Sequence, residues 1–161
     1  MRLQAEVEIA APRPAVWAYL TDPGRALHFL AGVTRWEVVG EPDRGLGARY
    51  RMLMRVGSAD IGGLIEIVEY DHNRDLAWTS VTGLDQRGRW RARDRPGERT
   101  TVEFRLSYGV AGAGLGAWIA EHVAAPMVQR NLRRSLAQLK RQVEYEQLRV
   151  QAAERRRRQA V

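Results

Sequence analysis

Residues 11–32 read APRPAVWAYLTDPGRALHFLAG, and the way they fold decides what the rest of the chain can be. Pro12 and Pro14 suit a first helical turn, where a missing N–H costs nothing. Val16, Trp17 and Leu20 give that helix an apolar face, and Thr21-Asp22-Pro23-Gly24 ends it. Asp22 is placed to cap a second short helix that starts at Pro23 and carries His28 and Phe29. On both sides the period drops from 3.6 to 2. Leu3, Ala5, Val7 and Ile9 alternate with Arg2, Gln4, Glu6 and Glu8 upstream, and the β-branched VTRWEVVG follows downstream. Two short helices that interrupt strands in this way are expected to wedge open a gap between a curved sheet and its cover.

Four further strands alternate strictly. Tyr50, Met52, Met54 and Val56 oppose Arg49, Arg51, Leu53 and Arg55, and Gly88, Trp90 and Ala92 oppose Arg87, Arg89, Arg91 and Arg93. Val102, Phe104, Leu106 and Tyr108 oppose Thr101, Glu103, Arg105 and Ser107, while Leu76, Trp78 and Ser80 form a further set. Trp36 and Val38 are expected to point inward. The segment SADIGGLIEIVEY is apolar on both faces, so either Ile65 and Ile67 or Leu64 and Val68 face the core. Half-apolar strands joined by turns such as EPDRG and YDHNRD predict an antiparallel sheet with one covered face. From Gly116 the period returns to 3.6, placing Leu115, Trp118, His122, Ala125, Gln129, Leu132, Leu136, Leu139 and Val143 on one stripe. Pro126 lies within it and is expected to kink or loosen the helix. The fold class is therefore α+β: a curved seven-stranded antiparallel sheet wrapped on a long C-terminal helix, with two short helices between strands 1 and 2.

The chain of 161 residues, 45% of them apolar, has the length of one domain and enough hydrophobic mass for a real core. The organisation expected is a ligand-binding domain over residues 1–146 and a basic extension, helical or disordered, over 147–161. With no cysteine, disulfides and thiolate chemistry are excluded. The strand-like N-terminus and the Gly- and Ala-rich stretch interrupted by Glu121 and His122 argue against export and against a membrane span, so a cytoplasmic protein is expected. His28, His72 and His122 are too scattered for a zinc motif, and no metal is predicted. Gly112, Gly114 and Gly116 lack the Lys-Ser/Thr of a phosphate loop, and no cofactor is predicted. The formal net charge is +7, and ten basic residues against three acidic ones from Arg130 onward supply all of it. For Arg155, Arg156, Arg157 and Arg158 a solvated helix end, favoured by the helix dipole, is the first expectation. Contact with nucleic acid or an anionic membrane comes second.

One helix cannot fill the concavity of a seven-stranded sheet, whose strands twist away from it. The residues expected to line the space are Trp36, Tyr50, Met52, Met54, Trp78, Trp90, Phe104, Leu106 and Tyr108 from the sheet, with Trp118 from the helix. His122 and Gln129 lie on the covering stripe, where a polar group must find a partner in the sheet, such as Ser80 or Tyr108, or face solvent or a ligand in a cavity. Aromatics with one polar atom and adaptable methionines suit a pocket that orients a bulky apolar molecule with a few hydrogen bonds.

The run IAAPRPAVWAYLTDP over residues 9–23 resembles the opening of the START-like superfamily of polyketide cyclases, lipid-transfer domains and Bet v 1-like proteins. The similarity continues around Leu76 to Trp78, in GRW at residues 88–90, in TTVEF at 100–104 and in LRRSLAQLKRQVE at 132–144. It implies a helix-grip fold with a hydrophobic cavity between sheet and long helix. Two functions follow as expectations. The first is a bacterial-type carrier or sensor of a bulky hydrophobic molecule such as a lipid, polyketide, quinone or aromatic compound. The alternative is a polyketide cyclase or dehydratase, in which His122, with Tyr50, Tyr108 or Arg105, is the candidate base and donor set. The resemblance carries no further catalytic motif, and the expectation leans away from an enzyme.

Overall fold

The computed structural model describes residues 1–109 and 115–160, with side chains over 1–109 and 124–160. The first strand, β1 (Arg2–Ile9), is followed by α1 (Arg13–Leu20), a 3-10 turn (Pro23–Arg25) and α2 (Ala26–Phe29). Six strands follow: β2 (Val33–Val38), β3 (Arg49–Val56), β4 (Ala59–Asp71), β5 (Asp75–Ser80), β6 (Gln86–Arg95) and β7 (Arg99–Tyr108). The long helix α3 (Leu115–Gln159) closes the chain. The seven strands form one antiparallel sheet in the order β1-β7-β6-β5-β4-β3-β2, curled into a half-barrel around α3. Consecutive strands pair with each other except β1, which crosses to β7 and leaves β1 and β2 as the two edges.

The punctuation in residues 11–32 works as the sequence predicts. Asp22 accepts a hydrogen bond from the Gly24 amide at 2.9 Å and starts the 3-10 turn. Trp17, 1% exposed, donates from Nε1 to the Tyr70 hydroxyl and fixes α1 to β4. Gly32 has φ of +80°, and a Cβ there would collide with the Asn131 side chain, so the chain turns from α2 into β2 hard against α3. Beside it the Ala31 amide donates to Ser135 Oγ, whose own hydroxyl donates to the Asn131 carbonyl. That pairing explains a serine buried on the core side of α3.

The covering face of α3 is Val128, Leu132, Ser135, Leu136, Leu139 and Val143, all buried. Its C-terminal half coincides with the predicted stripe. Gln129, half-buried, lies at its margin and donates to the Gln4 carbonyl of β1. Further along, Lys140 Nζ donates to the Glu8 carbonyl and Glu144 accepts from the Ala10 amide. The helix runs through Pro126 without a break and continues, still helical, to Gln159. In β4 Ile65 and Ile67 face inward, whereas Val68, beside a bulge in the pairing with β5, is exposed. Val38 differs from expectation: it is the last residue of an edge strand and 41% exposed, so the inward set of β2 ends at Trp36. Among the described residues no helix is long and apolar enough to cross a membrane.

Candidate functional site

Alternation on β2, β3, β5, β6 and β7 brings Trp36, Tyr50, Met52, Met54, Trp78, Trp90 and Phe104 to the concave face, under α2 and the middle of α3. Their rings partly interlock. Trp90 stacks on Phe104 with centroids 3.8 Å apart and 19° between planes, and Trp36 stacks on Tyr50 at 4.9 Å and 25°. Phe29 of α2 meets Trp90 edge-on at 6.2 Å. The Trp78 indole occupies the place of a side chain at Gly88, its register partner on β6: a Cβ at Gly88 would lie inside that ring.

The sequence predicts one broad hollow; among the described residues there are two compartments. One, of about 40 Å³, lies toward the short helices and includes Leu20, Pro23, Phe29, Tyr50 and Leu76 in its walls. The other, of about 60 Å³, lies toward α3 and includes Met52, Met54, Gln86, Phe104, Leu132 and Ser135. Leu30, Trp36, Trp78 and Trp90 line both and divide them. Each is well below the roughly 300–1,000 Å³ of a site for a drug-sized ligand, and each has room for a water.

The polar character of this interior is one-sided. Trp36 Nε1, Trp78 Nε1 and Gln86 Nε2 are buried hydrogen-bond donors with no acceptor among the described residues, and all three side chains line the second compartment. Leaving such a donor unpaired costs about 1–3 kcal/mol. Gln86, 3% exposed at the start of β6, has the same parity as Gly88 and Trp90, and that parity is the signal that could have found it between two charged neighbours. Among the described residues, no side chain around the second compartment is an ionisable base. Tyr50 reaches the first, and its hydroxyl donates to the Asp43 carbonyl at 2.7 Å, tying the β2–β3 loop to the sheet. Burial, with the nearby Asp43 carboxylate, pushes this phenol up to about 12.

Tyr108 is buried at the end of β7, beyond both compartments, with its hydroxyl 3.7 Å from the Met1 sulfur. Gln129 is outside them at the β1 edge, as described above. Arg105 lies on the outer face, paired with Glu103 at 2.6 Å. Trp118 and His122 lie on α3, and their side chains fall outside those described.

Solved structures with this fold include TTHA0849 from Thermus thermophilus, with a TM-score of 0.77 and 23% identity over 89% of this chain and 97% of that one. The Zhui aromatase/cyclase from a Streptomyces species superposes with a TM-score of 0.75 and 23% identity, covering 89% and 93%. The di-domain ARO/CYC StfQ of the steffimycin biosynthetic pathway gives 0.66 and 18%, covering 91% of this chain and 46% of StfQ. At these identities the likeness establishes the fold. No curated protein matches the sequence significantly. Residues 1–144 match the family described as polyketide cyclase / dehydrase and lipid transport, and the chain belongs to that family.

Proposed function

We propose that this protein binds a hydrophobic small molecule bearing carbonyl or other acceptor oxygens, with a polyaromatic ketone or quinone as the best-fitting class. The observation that carries this reading is the trio of unpaired donors at Trp36, Trp78 and Gln86 on an aromatic wall. An apolar guest satisfies the rings, and its oxygens satisfy the donors that have no acceptor among the described residues. Because the two compartments are small, a bulky guest enters by moving the wall they share, above all Trp36, which is only partly buried on edge strand β2. The residues predicted from the sequence divide accordingly. Trp36, Tyr50, Met52, Met54, Trp78, Trp90 and Phe104 contact the guest, and Gln86 joins them. A cytoplasmic site of action belongs to the same proposal.

The test is a thermal-shift and fluorescence titration comparing anthraquinone and naphthoquinone with anthracene and naphthalene. The quinones are expected to raise the melting temperature more than the hydrocarbons of equal shape. Gln86→Leu should lower quinone affinity about tenfold, the scale of one hydrogen bond, while leaving hydrocarbon affinity unchanged. Absence of any shift across the panel overturns the reading. The family description also names cyclases and dehydrases, and this second reading rests on His122 as base. Turnover of a poly-β-keto substrate that His122→Ala abolishes would favour it over simple binding.

A further inference from the structure

The face of α3 turned away from the sheet carries a continuous stripe that the cavity does not use. Val128, Leu132, Leu136, Leu139 and Val143 mark the sheet side of the helix. At 3.6 residues per turn, Arg130, Arg134, Arg141, Tyr145, Leu148, Ala152 and Arg155 fall on the opposite side at alternating steps of three, four and seven. Arg149 and Arg156 flank them. Arg130 to Arg156 span about 39 Å along one helix.

These six arginines, four on the stripe and two flanking it, have no carboxylate within ion-pair distance among the described residues, and of the three acids in this segment two are occupied while Glu154 lies on another side of the helix. Glu144 is held by Lys140 and the Ala10 amide, and Glu146 by Arg25. Tyr145 and Leu148, each 61% exposed, stand in the middle of the arginines, with the Arg149 guanidinium over the Tyr145 ring at 5.9 Å. Beyond Val143 no α3 side chain is buried, so nothing in the fold requires an aromatic and a leucine there.

We propose that this outer face of α3 docks on an anionic lipid surface. A line of cations with short apolar side chains at its centre supplies the two signals that hold a peripheral helix at a bilayer: attraction to charged headgroups and insertion of apolar groups among them. A nucleic acid would use the arginines but has no use for an aliphatic Leu148 between them, and a stripe that keeps Tyr145 and Leu148 among its arginines suits a lipid plane better than a groove. The proposal is independent of what the cavity holds.

The test uses the full chain and co-sedimentation with phosphatidylcholine vesicles, with and without phosphatidylserine at about one lipid in three. Binding should be at least tenfold stronger with phosphatidylserine and should weaken as salt is raised to about 0.5 M. A charge-reversal variant, R141E with R149E and R155E, should lose vesicle binding. Tyr145→Ser with Leu148→Ser keeps every charge and should still weaken it about tenfold through lost apolar insertion. Both variants should melt with the wild type, since the altered side chains are exposed. No sedimentation with anionic vesicles overturns the proposal. So does undiminished vesicle binding by the Tyr145→Ser, Leu148→Ser variant, and equally tight binding of duplex DNA by that variant would assign the stripe to nucleic acid instead.

Discussion

The sheet has two edges, and the protein closes them by different means. At β1 the free backbone groups are met one at a time by α3: Gln129 donates to Gln4, Lys140 to Glu8, and Glu144 accepts from Ala10. Each bond joins residues more than a hundred positions apart, so the edge is sealed only when the whole chain is in place. At β2 the described residues show one such bond, from the Ala31 amide to Ser135 just before the strand, and none along the strand itself. The strand has six residues, a bulge between Val33 and Arg35, and mostly exposed side chains; its cover is α2 and the stacked pair Trp36 and Tyr50. An edge with few buried contacts opens at low cost, while one stitched by side-chain bonds opens only with the fold. Cohesion is thus concentrated at one edge, and the freedom that the proposed function requires for a guest to enter falls to the other.

That contrast is broken most forcefully at the core of the sealed side. Leu139→Ala, at a fully buried position on α3, should cost about 2–5 kcal/mol in chemical denaturation and leave quinone affinity of the folded fraction unchanged. Trp36→Ala should do the reverse, with a smaller loss of stability and loss of quinone binding. If Leu139→Ala weakened the guest as much as Trp36→Ala, the division of labour between the edges would fail.

A smaller effect comes from Glu144. Burial acts to raise its carboxyl, but bonds from Lys140 and the Ala10 amide, with Arg99 nearby, hold it below the ordinary carboxylate range. A lowered value means that the folded state binds its proton less readily than the unfolded chain. The stabilisation is therefore complete above 4.5, the ordinary value, and is lost as the pH falls through the lower folded one. Glu144→Gln should cost about 1–2 kcal/mol at neutral pH, and its difference from the wild type should shrink in acid. A difference that stays constant down to about pH 3 would show that the carboxylate charge does not seal β1.

The smallest effect is at the open edge. Tyr50→Phe removes the bond to Asp43 and should cost about 1 kcal/mol at neutral pH. In the wild type burial keeps the phenol neutral to about 12, against 10.0 when unfolded, so the unfolded chain loses its proton first and stability falls as the pH rises through that window. The phenylalanine variant should lack this alkaline decline in a pH series of melting temperatures.

Much of this architecture is legible in the periods alone. Alternation places Tyr50, Met52, Trp90, Phe104 and Leu106 on the covered face, and the return to a 3.6 period locates the cover over Leu132 to Val143. What the sequence leaves open or misses has specific causes. A helical wheel gives the angle of Gln129 but not which of the outcomes open to it is taken, and the β1 edge supplies a partner in the sheet. Val38 obeys the alternation of its strand yet has nothing over it, because an edge strand outruns its cover. Gln86 is hidden by its charged neighbours, although its parity is correct. The division of one hollow into two depends on the register that sets Trp78 opposite Gly88, and register between distant strands is not written in either segment.

That ring on bare backbone has a consequence of its own. Trp78 shares the partition between the two chambers with Leu30, Trp36 and Trp90, and it alone of them rests on a position where the partner strand offers no side chain. A turn of that ring would enlarge one chamber at the expense of the other with the strands held in place, so the two would behave as communicating vessels.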